Sequence, residues 1–433
     1  MSSTVLYSVI GLALATAVLM YLAYKNWNTV VYSALAVIII CIFTRMDIYD
    51  IIMNTYAVST GSYFARWVVL FVTGSIFGKI YQVSGAAATI ATSLAKIFGE
   101  KNALIPIIVS GVVLSLAGVS SFVLIFCIYP IALELFAKAN LPKRLLPAVF
   151  CYVTWTVAAA MPGSTQSLNL LPTEIFGTNA MAGAVPGFVF AILATLIDSA
   201  YILWEAKRLK KQGIVFDNYD ELKQTDGEQK LPGLLPSLIP VLFVIIGFNV
   251  FHIPVEATLF IGIILGIILF AKCQSFSDWL KMTEESVKSG VIVLVNTAVI
   301  VGFGAVVVLT PLYTALMEWV QHSTINPYLL AALSANIFAL ILGSATSAVN
   351  LSLQTLGEMF MDIPGVNVGF IHRIICQAST GLDTLPHCGA LLTVFGVCGV
   401  KHKEAYKYVG VCTVVVPILL TFIVELPLDI LLS

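Results

Sequence analysis

Charge is scarce in this chain. Lys, Arg, Asp and Glu make up 10% of its 433 residues, against about 25% in soluble domains. A water-facing protein of this length cannot cover its surface with so few. Neither sign is in excess, since 22 basic residues stand against 23 acidic ones; that excludes the basic field of a nucleic-acid binder. The eight cysteines form no C-x-x-C pair and lie mostly inside apolar runs, where a thiol behaves as a small hydrophobe. A disulfide framework and a metal site are therefore not expected. H-E-x-x-H and G-x-S-x-G are absent, and Gly74-Ser-Ile-Phe-Gly78-Lys79 is one residue short of a phosphate-binding loop and sits in an apolar span. The chain does not read as an enzyme, and no cofactor is expected.

Apolar residues dominate, at 59%, and mean hydropathy is +0.98. A helix crossing the ~30 Å hydrocarbon core needs about 20 such residues. Runs of that kind fall at 5–24, 29–44, 62–80, 145–170, 183–206, 234–251, 257–271, 289–317 and 404–424. Three more, 103–137, 327–358 and 370–400, are interrupted by Gly, Ser, Thr, Pro or Asp. The composition predicts an all-α polytopic protein with about 10–12 membrane helices, multi-pass in the plasma (inner) membrane with the lipid bilayer around it. The one hydrophilic stretch, 205–232, holds 12 of the 45 charges. It divides the chain into 1–206 and 233–433, joined by a linker at 207–232. Cytoplasmic loops carry the Lys/Arg excess, so Lys25, Lys207–Lys211 and Lys401–Lys407 are placed inside and both termini outside. Segment 272–288, with Trp279, Leu280 and Met282 at helical spacing, reads as an interfacial helix.

On these assignments the halves are inverted copies in outline. Stretch 103–137 begins and ends near cytoplasmic charge and reads as a hairpin turning at Gly118-Val-Ser-Ser121; a broken helix, 145–175, follows with Pro162-Gly163-Ser164-Thr165-Gln166 near its middle. In the second half, 327–358 dips in from outside and turns at Gly343-Ser-Ala-Thr-Ser347. Its broken helix, 370–400, carries Thr380-Gly-Leu-Asp-Thr-Leu-Pro-His387. Backbone that leaves the helix inside a bilayer must be satisfied by protein, ligand or water, and paired breaks in two halves point to a transport site. Candidate substrate contacts are Ser120, Ser121, Gly163, Ser164, Thr165, Gln166, Asn169, Gly343, Ser344, Thr346, Ser347, Asn350, Thr384 and His387. Small residues also let helices pack closely, which is the alternative for the first hairpin turn. Arg373 suits a carboxylate through bidentate pairing, or anchors at the interface. Asp383 and His387, at i and i+4, and Asp198 are intramembrane ionisable groups and candidates for proton or ion coupling; holding the broken backbone is the structural alternative for the first two, and pairing with a neighbouring polar helix for Asp198.

At these segments the chain resembles a known family. Met161-Pro-Gly-Ser-Thr-Gln-Ser-Leu-Asn-Leu-Leu-Pro172, continuing to Phe176-Gly-Thr-Asn179, is similar to the P-G-[ST]-x-Q-x-x-N-x-x-P segment of the gluconate permease (GntP) family. His372-Arg373, Gly381-Leu-Asp-Thr-Leu-Pro-His387 and Ala405-Tyr-Lys407 resemble its later signature in the 3-hydroxybutyrate-type form, with Cys388-Gly389 in place of the usual Asn-Gly. The resemblance implies a member of the ion transporter superfamily, with inverted repeats, two re-entrant hairpins, an elevator mechanism and a homodimeric scaffold. It implies a secondary active transporter, a proton symporter before a sodium one, for a small organic acid such as 3-hydroxybutyrate, gluconate or a related hydroxy-monocarboxylate. On that fold the moving part is 103–206 with 327–433. A Na+-coupled carboxylate carrier and a passive organic-anion channel are the alternatives.

Overall fold

The computed structural model describes residues 3–25, 27–99, 102–119, 121–216, 231–273, 275–321, 325–385 and 388–433. Ser120, His387 and most of the linker (217–230) lie outside the described residues. Among the described residues there is no strand. The described residues form eighteen helices longer than eight residues: α1 Ser3–Tyr24, α2 Thr29–Thr44, α3 Ile48–Val83, α4 Ala86–Phe98, α5 Leu104–Leu116, α6 Ser121–Lys138, α7 146–158, α8 Ser167–Phe176 and α9 Ala184–Lys211. Beyond the linker come α10 Leu234–Asn249, α11 Val255–Leu269, α12 Phe276–Val308, α13 Pro311–Gln321, α14 Pro327–Leu342, α15 Ala345–Asp362, α16 Val368–Ser379, α17 Gly389–Val397 and α18 His402–Leu432. Five of these (α1, α3, α9, α12 and α18) are long and apolar enough to cross a membrane.

Several packing contacts of the first nine helices are matched by contacts between the helices nine places away in this order. α3 crosses α12; α3 also packs on α11 as α12 packs on α2. α4 meets α10 as α13 meets α1, and α3 meets α6 as α12 meets α15. Most telling, α8 lies against α15 and α17 against α6. Each hairpin's second helix therefore touches the helix that follows the break in the other half.

Breakers and caps explain the boundaries. α14 ends at Gly343 in the left-handed region, φ 59°, and Ser344 caps α15 by accepting the Ser347 N–H. Gly118, φ 87°, turns the chain between α5 and α6. Two readings from sequence are corrected. Segment 272–288 is not a separate interfacial helix: Ser275 caps a single helix that runs unbroken from Phe276 to Val308. No proline interrupts it before Pro311, and Gly290 meets the backbone of Phe71 on α3, so the charged first turns continue into the span. The run at 62–80 likewise belongs to a longer helix that starts at Ile48, where Asp47 accepts the Asp50 N–H. At the end of α9, Glu205 pairs with Arg208 at 3.0 Å and with Lys407 of α18 at 2.9 Å.

Candidate functional site

Between α7 and α8 the chain leaves the helix at 159–166, here called break 1; between α16 and α17 the described residues 380–385 and 388 are non-helical, break 2. Each break is fastened to the hairpin turn of its own half. At break 1, Thr165 Oγ1 donates to Leu116 O at 2.9 Å, and Gln166 Nε2 donates to Ser115 O at 2.9 Å and Val119 O at 3.2 Å. At break 2, the Asp383 carboxyl lies near the backbone N–H groups of Ala345, at the start of α15, and of Thr384. Thr384 Oγ1 also meets Thr413 Oγ1 of α18 at 2.6 Å.

Break 1 is closed from several sides. Gly163, φ 79°, donates its N–H to Ala180 O and receives Asn249 Nδ2 of α10 on its own carbonyl. Asn169 Nδ2 donates to Ser164 O at 2.9 Å and Ala180 O at 3.0 Å. Arg373 completes the closure. It is fully buried, so it is no interfacial anchor. Nε and Nη2 donate to Ala182 O, Nη1 to Ala160 O and Asn169 Oδ1, and Nη2 also to Ala180 O, all within 3.0 Å. Every polar hydrogen of the guanidinium can thus be used inside the protein, and none is left over for a substrate carboxylate in this arrangement. Gly183 and Gly187 make room, since a Cβ on either would stand 2.5 Å and 2.8 Å from Arg373 side-chain carbons.

Other polar atoms near the breaks and turns are unused. Ser347 Oγ, Asn350 Nδ2 and Ser352 Oγ on the first turns of α15, with Asp383 Oδ1 and Ser115 Oγ beside the breaks, are buried without hydrogen-bond partners. Buried polar groups left open are exceptional and ask for an explanation. α15 starts at a turn and α8 at a break, and the two pack together; helix N-termini present N–H groups and a positive dipole end to an anion. Of the residues expected at the site, Thr165, Gln166, Asn169 and Arg373 come together to close break 1. Gly343 and Ser344 form the second turn, Thr346 follows half-buried, and Ser347 and Asn350 keep open atoms. Ser121 opens α6. Asp198 lies apart, on α9, facing the Cys412 thiol of α18.

Beside break 1 lies a cavity of about 300 Å³ lined by Glu174, Ala180, Met181, Asn249, His252 and Arg66. Arg66 of α3 crosses its wall to Glu174 of α8 at 2.7 Å. Sequence reasoning missed Asn249 and Gln377, and also Glu425 and Asp429, which fall just beyond the run at 404–424. Their signal was a spacing of four behind Thr421, which places three oxygen-bearing residues on one stripe of α18.

Known proteins supply the family. The sequence profile described as GntP family permease matches residues 4–427. Uncharacterized transporter YxjC of Bacillus subtilis strain 168 is 26% identical, covering 93% of this chain and 95% of its own. The gluconate permease of Zymomonas mobilis is 23% identical over 87% of both chains. The D-serine transporter DsdX of Escherichia coli O6:H1 is 24% identical over 80% of this chain and 81% of its own. With a match running almost end to end, the chain belongs to the GntP permease family: it is a multi-pass membrane permease of the plasma membrane.

Proposed function

We propose that this permease is a proton-coupled importer of a small hydroxy-monocarboxylate, working as two inverted repeats with an elevator-type moving part. The observation that carries the reading is the pairing of α8 with α15 and of α6 with α17. It brings the helix starts behind breaks and turns together from opposite halves, as transporters with discontinuous helices do. In this reading 103–206 and 327–433 move, the remaining helices form a scaffold within a homodimer, and 207–232 is a cytoplasmic linker. The substrate carboxylate lies against the N-terminal turns of α15 and α8, where Ser347 Oγ and Asn350 Nδ2 are open to donate. Gluconate and D-serine, named for two relatives, share with 3-hydroxybutyrate a carboxylate with a hydroxyl two or three carbons into the chain. That common pattern is what we assign to the site.

The test is counterflow in proteoliposomes with labelled gluconate, D-serine and 3-hydroxybutyrate, beside a dicarboxylate. Exchange of at least one hydroxy acid, lost in the Ser347→Ala/Asn350→Ala double variant, is the expected result. Exchange of none of them overturns the substrate class. Uptake that follows a Na+ gradient, or that never exceeds equilibrium when a pH gradient is imposed, overturns proton coupling.

A further inference from the structure

Near the end of α18 two carboxyl groups lie buried with nothing to answer them. Glu425 and Asp429 stand one helical turn apart and are fully buried, and all four oxygens lack hydrogen-bond partners. One turn earlier on the same stripe, Thr421 Oγ1 is equally buried and unpartnered. On the facing helix α16, buried Gln377 spends its Nε2 on Gly187 O and leaves Oε1 open. The backbone widens at this point: the Leu426 N–H donates to Thr421 O, five residues back, a turn frequent at functional sites.

The charges around the pair are few. This part of α18 packs on α9, α14 and α16. Because Lys407 bonds Glu205 and Cys412 faces Asp198, α9 runs antiparallel to α18, and the stretch opposite 421–432 is about 178–191, which carries no titratable side chain. α14 carries only Tyr328, and α16 carries His372, Arg373 and Cys376. Arg373 is the cation whose field reaches both carboxyls. Its N–H groups are spent on break 1, so it lends the pair charge without hydrogen bonds. One guanidinium balances one carboxylate. A second bare carboxylate in the same buried place is expensive, so the cluster is in balance only with one further positive charge. A metal ion would have to sit beside the guanidinium, whereas a proton joins a carboxyl oxygen and leaves a neutral group.

We propose that Glu425 and Asp429 are the proton-coupling pair of this permease, with Arg373 relaying their charge to break 1. The inference rests on the transporter reading above. A proton from water on one side of the membrane binds a carboxylate oxygen, and the same O–H bond breaks on the other side. With the pair singly protonated, Arg373 is balanced and free to hold the carbonyls of Ala160, Ala180 and Ala182 and the Asn169 side chain. With both carboxyls charged, the pair draws the guanidinium towards itself and loosens that hold. Proton and substrate are thereby linked through one side chain.

The experiment compares wild type, Glu425→Gln and Asp429→Asn in proteoliposomes, measuring counterflow and pH-gradient-driven accumulation of the same acid. In weakly buffered detergent solution, a pH indicator also records proton uptake when that acid binds. Wild type is expected to accumulate and to take up protons. Each variant is expected to keep counterflow, lose accumulation and lose the proton signal. Accumulation at the wild-type level in both variants overturns the assignment while leaving the transporter reading intact. Wild type that exchanges the acid but binds it without proton uptake overturns it too, and this arm stands even if a variant fails to fold. Wild type that exchanges none of the hydroxy acids instead marks failure of the functional reading itself.

Discussion

Arg373 is the side chain on which most of break 1 converges, and its chemistry is specific to arginine. A planar guanidinium spreads five polar hydrogens over a fork, and here they face four acceptors on three separate stretches of chain: 160, 169 and 180–182. A lysine ammonium presents its donors from one point and cannot span that set. Arg373→Lys should therefore leave at least two buried acceptors open, at about 1–3 kcal/mol each, and lower the unfolding temperature of the purified protein by several degrees. Thermal unfolding followed in detergent checks it; an unchanged midpoint would mean the fork is not what closes the break. Sequence alone marked Arg373 as notable but assigned it a substrate carboxylate or the interface. Three of its four acceptors are backbone carbonyls, which no residue type advertises. Gly183 and Gly187, the glycines that admit it, looked like ordinary small residues in a membrane helix.

Elements were legible where a breaker stood and illegible where one was missing. Gly118, Gly343 and the Pro162-Gly163 step mark turns and breaks that the structure has at those places. α4 escaped notice because Ala86–Phe98 is too short and too mixed to stand out as a membrane run, and α12 was divided because charge near its start resembled an interfacial segment. Its continuity has a topological consequence. If the Lys-rich end of α9 is inside, as the charge bias predicts, α10 and α11 return the chain to the same side, and Cys273, exposed between α11 and α12, is expected to face the cytoplasm. Asp362, exposed at the end of α15, is expected to face outward. A membrane-impermeant maleimide added to intact cells should spare native Cys273 and modify it after permeabilisation. In a Cys273→Ser background, Asp362→Cys should react in intact cells. The reverse pattern would invert every orientation assigned to the chain.

At the scale of the whole molecule, the proposed elevator motion requires some helices to stay still. The pairing of α3 with α12 joins the two halves along the longest helices, and Ser75 Oγ of α3 donates to Ser286 O of α12 at 2.9 Å within it. The Arg66–Glu174 ion pair is different, because it ties α3 to α8, the helix behind break 1. Both of its side chains are substantially exposed, and pairs of that kind contribute only about 0–1 kcal/mol. Such a contact holds a resting position without preventing departure from it, which suits a boundary between a scaffold and a moving part. If α8 slides past α3 during transport, a covalent tie between positions 66 and 174 must stop it, whereas a tie between 75 and 286 must not. Cysteine pairs at each location, introduced into a protein lacking reactive native cysteine, can be joined with a short bifunctional reagent whose spacer is cleaved by reduction. The expected result is loss of counterflow on joining Arg66→Cys to Glu174→Cys, recovery on reduction, and retained counterflow in the Ser75→Cys/Ser286→Cys protein. Full exchange by the joined 66–174 protein would make α3 and α8 one rigid body and remove the boundary that an elevator motion requires.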